Sequence, residues 1–274
     1  MARREKKSFA LSEAEQRDLI ALIQQGKALP EKYRFILFED KREVELVWSY
    51  RAREIEMLGV PVRCGVSVTA HAVRDHAPDF VVVATGVRPR PCPFDVTRLD
   101  KGITVAHAWD ILAAPGRIPA GSRVTIIGGG MVGMETADLL SAGGIRCTVV
   151  EALRNAAEGM ARNNRMELIE RVAARGTRIL TEARVVDAAG AALELEGADG
   201  ATTRLDIGGF LIVAIGPAPD RDAAHACEEA GVAYALVGDA NTPGDFLTCL
   251  RDAWMVALSV DHRFRNEREA TTTA

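Results

Sequence analysis

Three glycines and one acid carry the clearest chemistry in this chain. From Arg123 the sequence runs Arg-Val-Thr-Ile-Ile, then Gly128-x-Gly130-x-x-Gly133, then helix-compatible residues to Leu140. A second apolar run ends at Glu151, 23 residues after Gly128. That order predicts strand, tight turn, helix, strand and acid, the spacing with which a βαβ unit holds a dinucleotide. Gly128 permits the turn, Gly130 lets the backbone approach a pyrophosphate, and Gly133 lets the helix pack on the strand. The helix N-terminus offers free N–H groups and the positive end of its dipole to phosphates. Gly129, Met131 and Val132 lie in the same loop and first turn and are expected beside the cofactor.

Glu151 bears on which nicotinamide is used. A carboxylate at the end of the second strand suits a free ribose 2′-hydroxyl and repels a 2′-phosphate. NADH is therefore expected over NADPH. Arg154, three residues on, reads as a solvated arginine.

Composition sets outer limits. The 274 residues are 48% apolar and 26% charged, with a net charge of −4. Such a chain has no general attraction to nucleic acid or to an anionic membrane. No apolar run reaches the length of a membrane span, and the basic start, Met-Ala-Arg-Arg-Glu-Lys-Lys, has no apolar stretch after it. Five cysteines (Cys64, Cys92, Cys147, Cys227 and Cys249) are far apart in sequence. They form no redox dithiol, iron–sulfur or zinc spacing, so a cytoplasmic, reduced protein is expected. Cys147 sits in an apolar strand and reads as a core residue. The five histidines fall in no metal or triad arrangement, and no metal site is expected.

Other elements must position the glycine loop. Residues 1–48 read differently from the rest: a capping box at Ser12–Glu15 opens a helix that ends near Gly26, and Arg34–Phe38 reads as a strand. Residues 49–58 read as a helix with Tyr50, Ile55 and Leu58 inward, and 59–63 as a short strand. Asp79–Ala84 is a continuous apolar run of the buried parallel type, leading into Thr85-Gly86. Residues 105–113 read as a short helix. Beyond the dinucleotide unit, a helix is expected at about 161–175. Arg178–Leu180, Ala183–Val186 and Ala191–Leu195 then read as a small β-meander. Phe210–Ile215 reads as a buried strand ending at Gly216, and Ala233–Val237 as a strand ending at Gly238-Asp239. A last helix, about 246–260, carries Leu247, Leu250, Trp254, Ala257 and Leu258 on one face, and Asp245 is placed to cap it.

These pieces together resemble a known family. Val82-Val-Ala-Thr-Gly-Val-Arg-Pro89 and Ile212-Val-Ala-Ile-Gly-Pro217 look like the two "ATG" strands of flavoproteins with two dinucleotide-binding domains. Leu236-Val-Gly-Asp239 looks like their C-terminal FAD motif. More narrowly, residues 49 to 262 resemble the C-terminal FAD/NAD(P)H half of 2,4-dienoyl-CoA reductases and related NADH:flavin oxidoreductases. Ala106–Leu112, Gly128–Asp138 and Val237–Gly244 carry that likeness.

The resemblance implies an α/β fold: a Rossmann-like NAD(P)-binding domain with a β-meander, inserted in an FAD-binding domain of glutathione-reductase type. The implied division is an NAD(P)-binding domain at 115–220, an FAD-like domain at 49–114 and 221–262, an N-terminal segment at 1–48, and a disordered tail at 263–274. It also implies that Asp239 holds the ribityl chain of FAD, that Ala84, Thr85, Gly86, Gly216 and Gly238 let the backbone approach a cofactor, and that Glu135 lies near nicotinamide and flavin. No side chain need act as acid, base or nucleophile, because hydride passes from nicotinamide to flavin. In the family the electrons continue through an iron–sulfur cluster to an FMN in a TIM barrel, so a separate barrel subunit is an implied partner. A homo-oligomer stays open.

One departure is sharp. The family's FAD domain opens on its own GxGxxG, but Gly26 is the only glycine before Gly59. The FAD-binding domain is accordingly read as incomplete. Two rival readings remain open: a nicotinamide-binding remnant or regulator without flavin, and a scaffold subunit that uses the fold for assembly.

Overall fold

The computed structural model describes residues 43–272. The helix expected from Ser12 and the strand expected over Arg34–Phe38 lie outside them. The chain divides into two compact units, Met1–Val66 with Trp109–Pro119, and Ser67–Ala108 with Ala120–Ala274.

In the first unit the described residues are dominated by helix α1, Glu43–Met57. It starts earlier than the expected residue 49. Tyr50, Ile55 and Leu58 are all exposed, not inward. Residues 60–63 pair with nothing as a strand, and Pro61 has no N–H to offer a ladder.

The second unit holds four sheets. Its centre is a five-stranded sheet in the order β3–β10–β4–β5–β6, made of β3 (Thr104–His107), β4 (Arg123–Ile127), β5 (Arg146–Val150), β6 (Arg178–Leu180) and β10 (Phe210–Val213). Every pairing in it is parallel. β4 lies in the middle and is buried at Val124 to Ile127, which is why its sequence is continuously apolar rather than alternating. Helix α4, Met131–Ala142, packs on this sheet through Met134, Ala137 and Leu140, each at most 1% exposed. Their three-residue spacing keeps them on one helix face. Helix α5, Arg162–Ala174, follows β5 and buries Leu168 and Val172. This is the Rossmann-like arrangement expected.

Three readings change at this sheet. Residues 104–107 are a strand, and only Ala108–Ala113 (α3) is helix, so the sheet takes one strand from ahead of residue 115. Arg178–Leu180 is the sheet's edge and not part of the meander. The meander consists instead of β7 (Ala183–Ala189), β8 (Ala192–Gly197) and β9 (Thr202–Asp206), antiparallel with a bulge between Val185 and Asp187. A cluster of Ile127, Val150, Ala188, Leu193, Leu195, Ile207 and Leu211 seals the meander to the parallel sheet.

A second, smaller sheet pairs β1 (Val81–Val83) with β12 (Tyr234–Leu236) in parallel. Helices α2 (Ala70–His76) and α6 (Asp222–Ala230) cover one of its faces through Val73, Val83, Ala223, Ala224 and Cys227. Val82 points the other way and is 49% exposed, so β1 is not the two-sided buried strand expected. A two-stranded ribbon, β2 (Val87–Pro89) with β11 (Pro217–Pro219), is antiparallel.

The last helix, α7, runs from Phe246 to Thr272. It overruns the expected end, and residues 263–272 are helical where a disordered tail was expected. Leu247, Leu250, Trp254 and Leu258 are exposed. No helix among the described residues is long and apolar enough to cross a membrane.

Candidate functional site

The glycine loop joins β4 to α4 at the carboxyl end of the parallel sheet, and three of its four glycines each have a distinct reason within the protein to lack a side chain. Gly128 has φ +95°, and a Cβ there would lie 2.4 Å from the Ala214 carbonyl oxygen. A Cβ on Gly133 would stand 1.9 Å from the Gly128 carbonyl oxygen, which locks helix to strand. A Cβ on Gly129 would meet the Cβ of Glu151 at 2.9 Å.

Gly130 is different. Its φ of −65° and ψ of −172° suit any residue, and a Cβ on it would meet nothing within 4 Å. Neither backbone strain nor packing within the protein calls for glycine here. What it leaves is open space at a helix N-terminus. The N–H groups of Gly128 and Gly129 are taken, by the Val150 carbonyl at 2.8 Å and by Glu151 Oε2 at 2.6 Å. Those of Gly130, Met131 and Val132 are the next along the chain. Gly130 caps α4 without a side-chain hydrogen bond, so the first-turn N–H groups have no partner within the helix. The loop therefore fits an anionic diphosphate.

Met131 is exposed, Val132 and Glu135 are half-buried, and all three lie on α4 beside this loop. Glu151 follows β5 directly and is 8% exposed. Its Oε2 accepts from Gly129 and its Oε1 accepts from the Leu153 N–H at 2.7 Å. Ala157, with φ +51°, donates its N–H to the Gly129 carbonyl at 2.6 Å. Sequence reasoning missed both Leu153 and Ala157, because each contributes only its backbone.

The remaining candidate residues gather on the small sheet and the ribbon. Ala84 and Thr85 follow β1 and are exposed, and Gly86 (φ +73°) is half-buried. The Thr85 hydroxyl donates to the Asp220 carbonyl, and the Asp220 N–H donates to the Gly86 carbonyl at 2.9 Å. Gly216, with φ +86°, lies between β10 and β11 and its carbonyl accepts from the Arg90 N–H. Thr85, Gly86 and Gly216 thus hold the ribbon together. Arg88 adds to this by pairing with Asp220 and Asp222 at 2.5 and 2.8 Å.

Gly238, with φ +59°, and Asp239 follow β12. Asp239 Oδ1 accepts from the Gly244 N–H at 2.9 Å and from the Cys249 thiol at 3.3 Å. Burial and the Asp239 carboxylate both push the Cys249 thiol pKa up. Asp252, also missed, accepts from the Gly238 N–H at 2.8 Å. It is the one acid on the first turns of α7, among the apolar residues Phe246, Leu247, Leu250 and Trp254, which is the signal that was available. Asp245 caps α7 as expected, through the Thr248 N–H at 2.8 Å.

The candidates thus fall on two sheets: the glycine loop, Glu135, Glu151 and Gly216 with the five-stranded sheet, and Ala84, Thr85, Gly86, Gly238 and Asp239 with the small one. No group of His, Cys, Asp and Glu among the described residues is arranged to hold a metal.

A family model described as pyridine nucleotide-disulphide oxidoreductase matches residues 40–241. The chain belongs to that family. Within the pyridine nucleotide-disulphide oxidoreductases it is 28% identical over 231 residues to an NADH oxidase of Thermoanaerobacter brockii, which is 80% of this chain and 34% of that protein. It is 31% identical over 202 residues to a bilirubin reductase of Mediterraneibacter gnavus, 73% of this chain and 30% of that one. Among solved structures, a 2-naphthoyl-CoA reductase complex superposes with a TM-score of 0.65 at 20% identity, covering 90% of this chain and 39% of the other. That likeness shows a shared fold. The chain spans about a third of the length of the curated relatives it matches. Despite the family's name, none of the five cysteines is joined in a disulfide.

Proposed function

We propose that this chain is the NADH-handling module of a flavin oxidoreductase of the 2,4-dienoyl-CoA reductase and NADH:flavin oxidoreductase type. The carrying observation is Gly130, a glycine that neither backbone angles nor packing requires, at a helix N-terminus open to an anion. The reading prefers NADH to NADPH, because a 2′-phosphate beside Glu151 would face a carboxylate. When bound, NADH supplies a hydride and FAD accepts it.

The chain's own residues divide the work. Gly130, Met131 and Val132 would hold the dinucleotide diphosphate, with residues 115–220 and the preceding strand β3 as the nicotinamide domain. Gly238 and Asp239, with Ala84, Thr85 and Gly86, would form one side of a flavin site on residues 49–114 and 221–262. Among the described residues this flavin side has no glycine loop of its own, so FAD fits it only in part. Electrons would then leave to a partner flavoprotein, for which a TIM-barrel subunit with FMN and an iron–sulfur cluster is the candidate, in the cytoplasm.

A second reading follows from that partial fit. The chain would bind nicotinamide without flavin, as a regulatory or scaffold subunit. The visible absorption of the purified chain with added FAD, before and after anaerobic NADH, separates the two. Flavin bands that co-elute with the protein and bleach on NADH support the oxidoreductase. A colourless chain that binds NADH overturns it in favour of the second reading.

A further inference from the structure

A carboxylate in a nearly dry position must be neutralised by hydrogen bonds or by a paired charge. Glu151 is 8% exposed, and no cation pairs with it among the described residues. Its charge is met by the backbone alone: Gly129 N–H on Oε2 at 2.6 Å and Leu153 N–H on Oε1 at 2.7 Å. Both are charge-assisted bonds at the short end of the normal range. The Glu151 main chain is anchored as well, its N–H to the Leu180 carbonyl at 2.8 Å and its carbonyl to the Ala183 N–H at 2.9 Å.

The middle glycine makes this arrangement possible. A Cβ on Gly129 would lie 2.9 Å from the Glu151 Cβ and 3.4 Å from its Cγ. Any side chain at 129 would push the carboxylate out from under the loop. In the spacing Gly-x-Gly this position is nominally free, yet here packing demands glycine.

We infer that Glu151 is a positioning residue that braces the dinucleotide loop from beneath, tying Gly129 to Leu153, rather than a group whose first task is to bind the ribose. The brace turns the Gly129 N–H inward, so that the diphosphate is met by the N–H groups of Gly130, Met131 and Val132. This deepens the dinucleotide reading above and, for its ligand, rests on it.

The chemistry of glutamine separates the two roles. A ribose hydroxyl both donates and accepts, so it can reorient to bond an amide as well as a carboxylate. A backbone N–H cannot. In Glu151→Gln one of the two N–H groups must face an NH₂, donor against donor. A brace is therefore broken by the isosteric change, and a ribose contact survives it.

The test uses the full chain and two measurements. The first is backbone amide exchange at Gly129 and Leu153 without ligand, in wild type and E151Q. The expected result is exchange at least about tenfold faster at one of the two sites, the fold-change of one charge-assisted hydrogen bond. The second is the affinity for ADP and for 2′,3′-dideoxy-ADP. E151Q should weaken both by the same factor, again about tenfold or more, because the defect lies in the loop and not at the sugar. Gly129→Ala displaces the carboxylate without removing its charge and should reproduce both effects, which covers the case in which E151Q does not fold. Unchanged exchange, with ADP alone weakened, overturns the brace and returns Glu151 to the ribose. If wild type binds neither nucleotide while exchange still accelerates in E151Q, the brace stands and the dinucleotide reading fails.

Discussion

Gly133 meets Gly128 backbone to backbone: with a Cβ on Gly133 only 1.9 Å from the Gly128 carbonyl oxygen, the first turn of α4 has no room for any other residue. Three residues earlier, Gly130 faces open space. The same residue type is thus demanded by packing at one position and not at the other. Gly133→Ala should cost about 3 kcal/mol or yield an insoluble chain, since the clash is with backbone that cannot rotate away. Gly130→Ala should change stability by less than about 0.5 kcal/mol and weaken NADH binding at least about tenfold. Urea unfolding and NADH titration of the two variants check the contrast. Wild-type NADH affinity in G130A would remove the main support for the proposed site.

Helices α4 and α5 are joined by one acid. Asp138 accepts from Arg171 at 3.0 and 2.9 Å and from Arg175 at 2.6 Å. Burial works against its charge, yet the two guanidinium groups hold its pKa below the ordinary value. Asp138→Asn should cost about 1–2 kcal/mol near neutral pH. Because the folded pKa is depressed, the contribution is complete above the unfolded value of about 3.9 and is lost as pH falls through the lower folded value. The gap in urea midpoint between wild type and D138N should stay constant from pH 7 to about 5 and close below about pH 4.

The ribbon pair Arg88–Asp220/Asp222 is solvated, with Arg88 49% and Asp222 75% exposed. Arg88→Ala should therefore lower the melting temperature only slightly, and the difference should fade in high salt. A large, salt-independent loss would mean that the guanidinium does more than screenable charge pairing.

The thiols should react in order of access. Cys64 is exposed, whereas Cys147 is 3% and Cys227 0% exposed. Burial pushes the Cys147 thiol up to about 12, so it stays protonated, and hence a poor nucleophile, at pH 8. Native labelling at pH 8 should modify Cys64 first and leave Cys147 and Cys227 untouched until the chain unfolds. Mass mapping of the labelled peptides reads this directly.

The parts of this protein that the sequence reveals are those in which a residue type answers a local demand. The Gly128–Gly133 spacing, the apolar run of β4 and the Asp245 cap are of this kind, because a turn, a buried strand and a helix end each restrict the residues at hand. Helices α2 and α6 escaped the same reading. They span seven and nine residues, too few to show a helical period in alanine-rich sequence, and α2 is announced only by the Thr69 side chain that caps it.

What pairs with what was decided only in three dimensions. Arg178–Leu180 has the look of a meander strand, but its partner is β5, and Thr104–His107 becomes a strand because β10 lies beside it. Val82 has the sequence of a buried residue and lies on the face of the small sheet that α2 and α6 do not cover. Glu151 shows the division most clearly. Its distance from Gly128 in sequence marks it as a candidate for the site, a consequence of the fixed length of a βαβ unit. That its two oxygens are taken by Gly129 and Leu153 depends on how strand and loop close over it, and no local pattern encodes a bond to a backbone N–H 22 residues away.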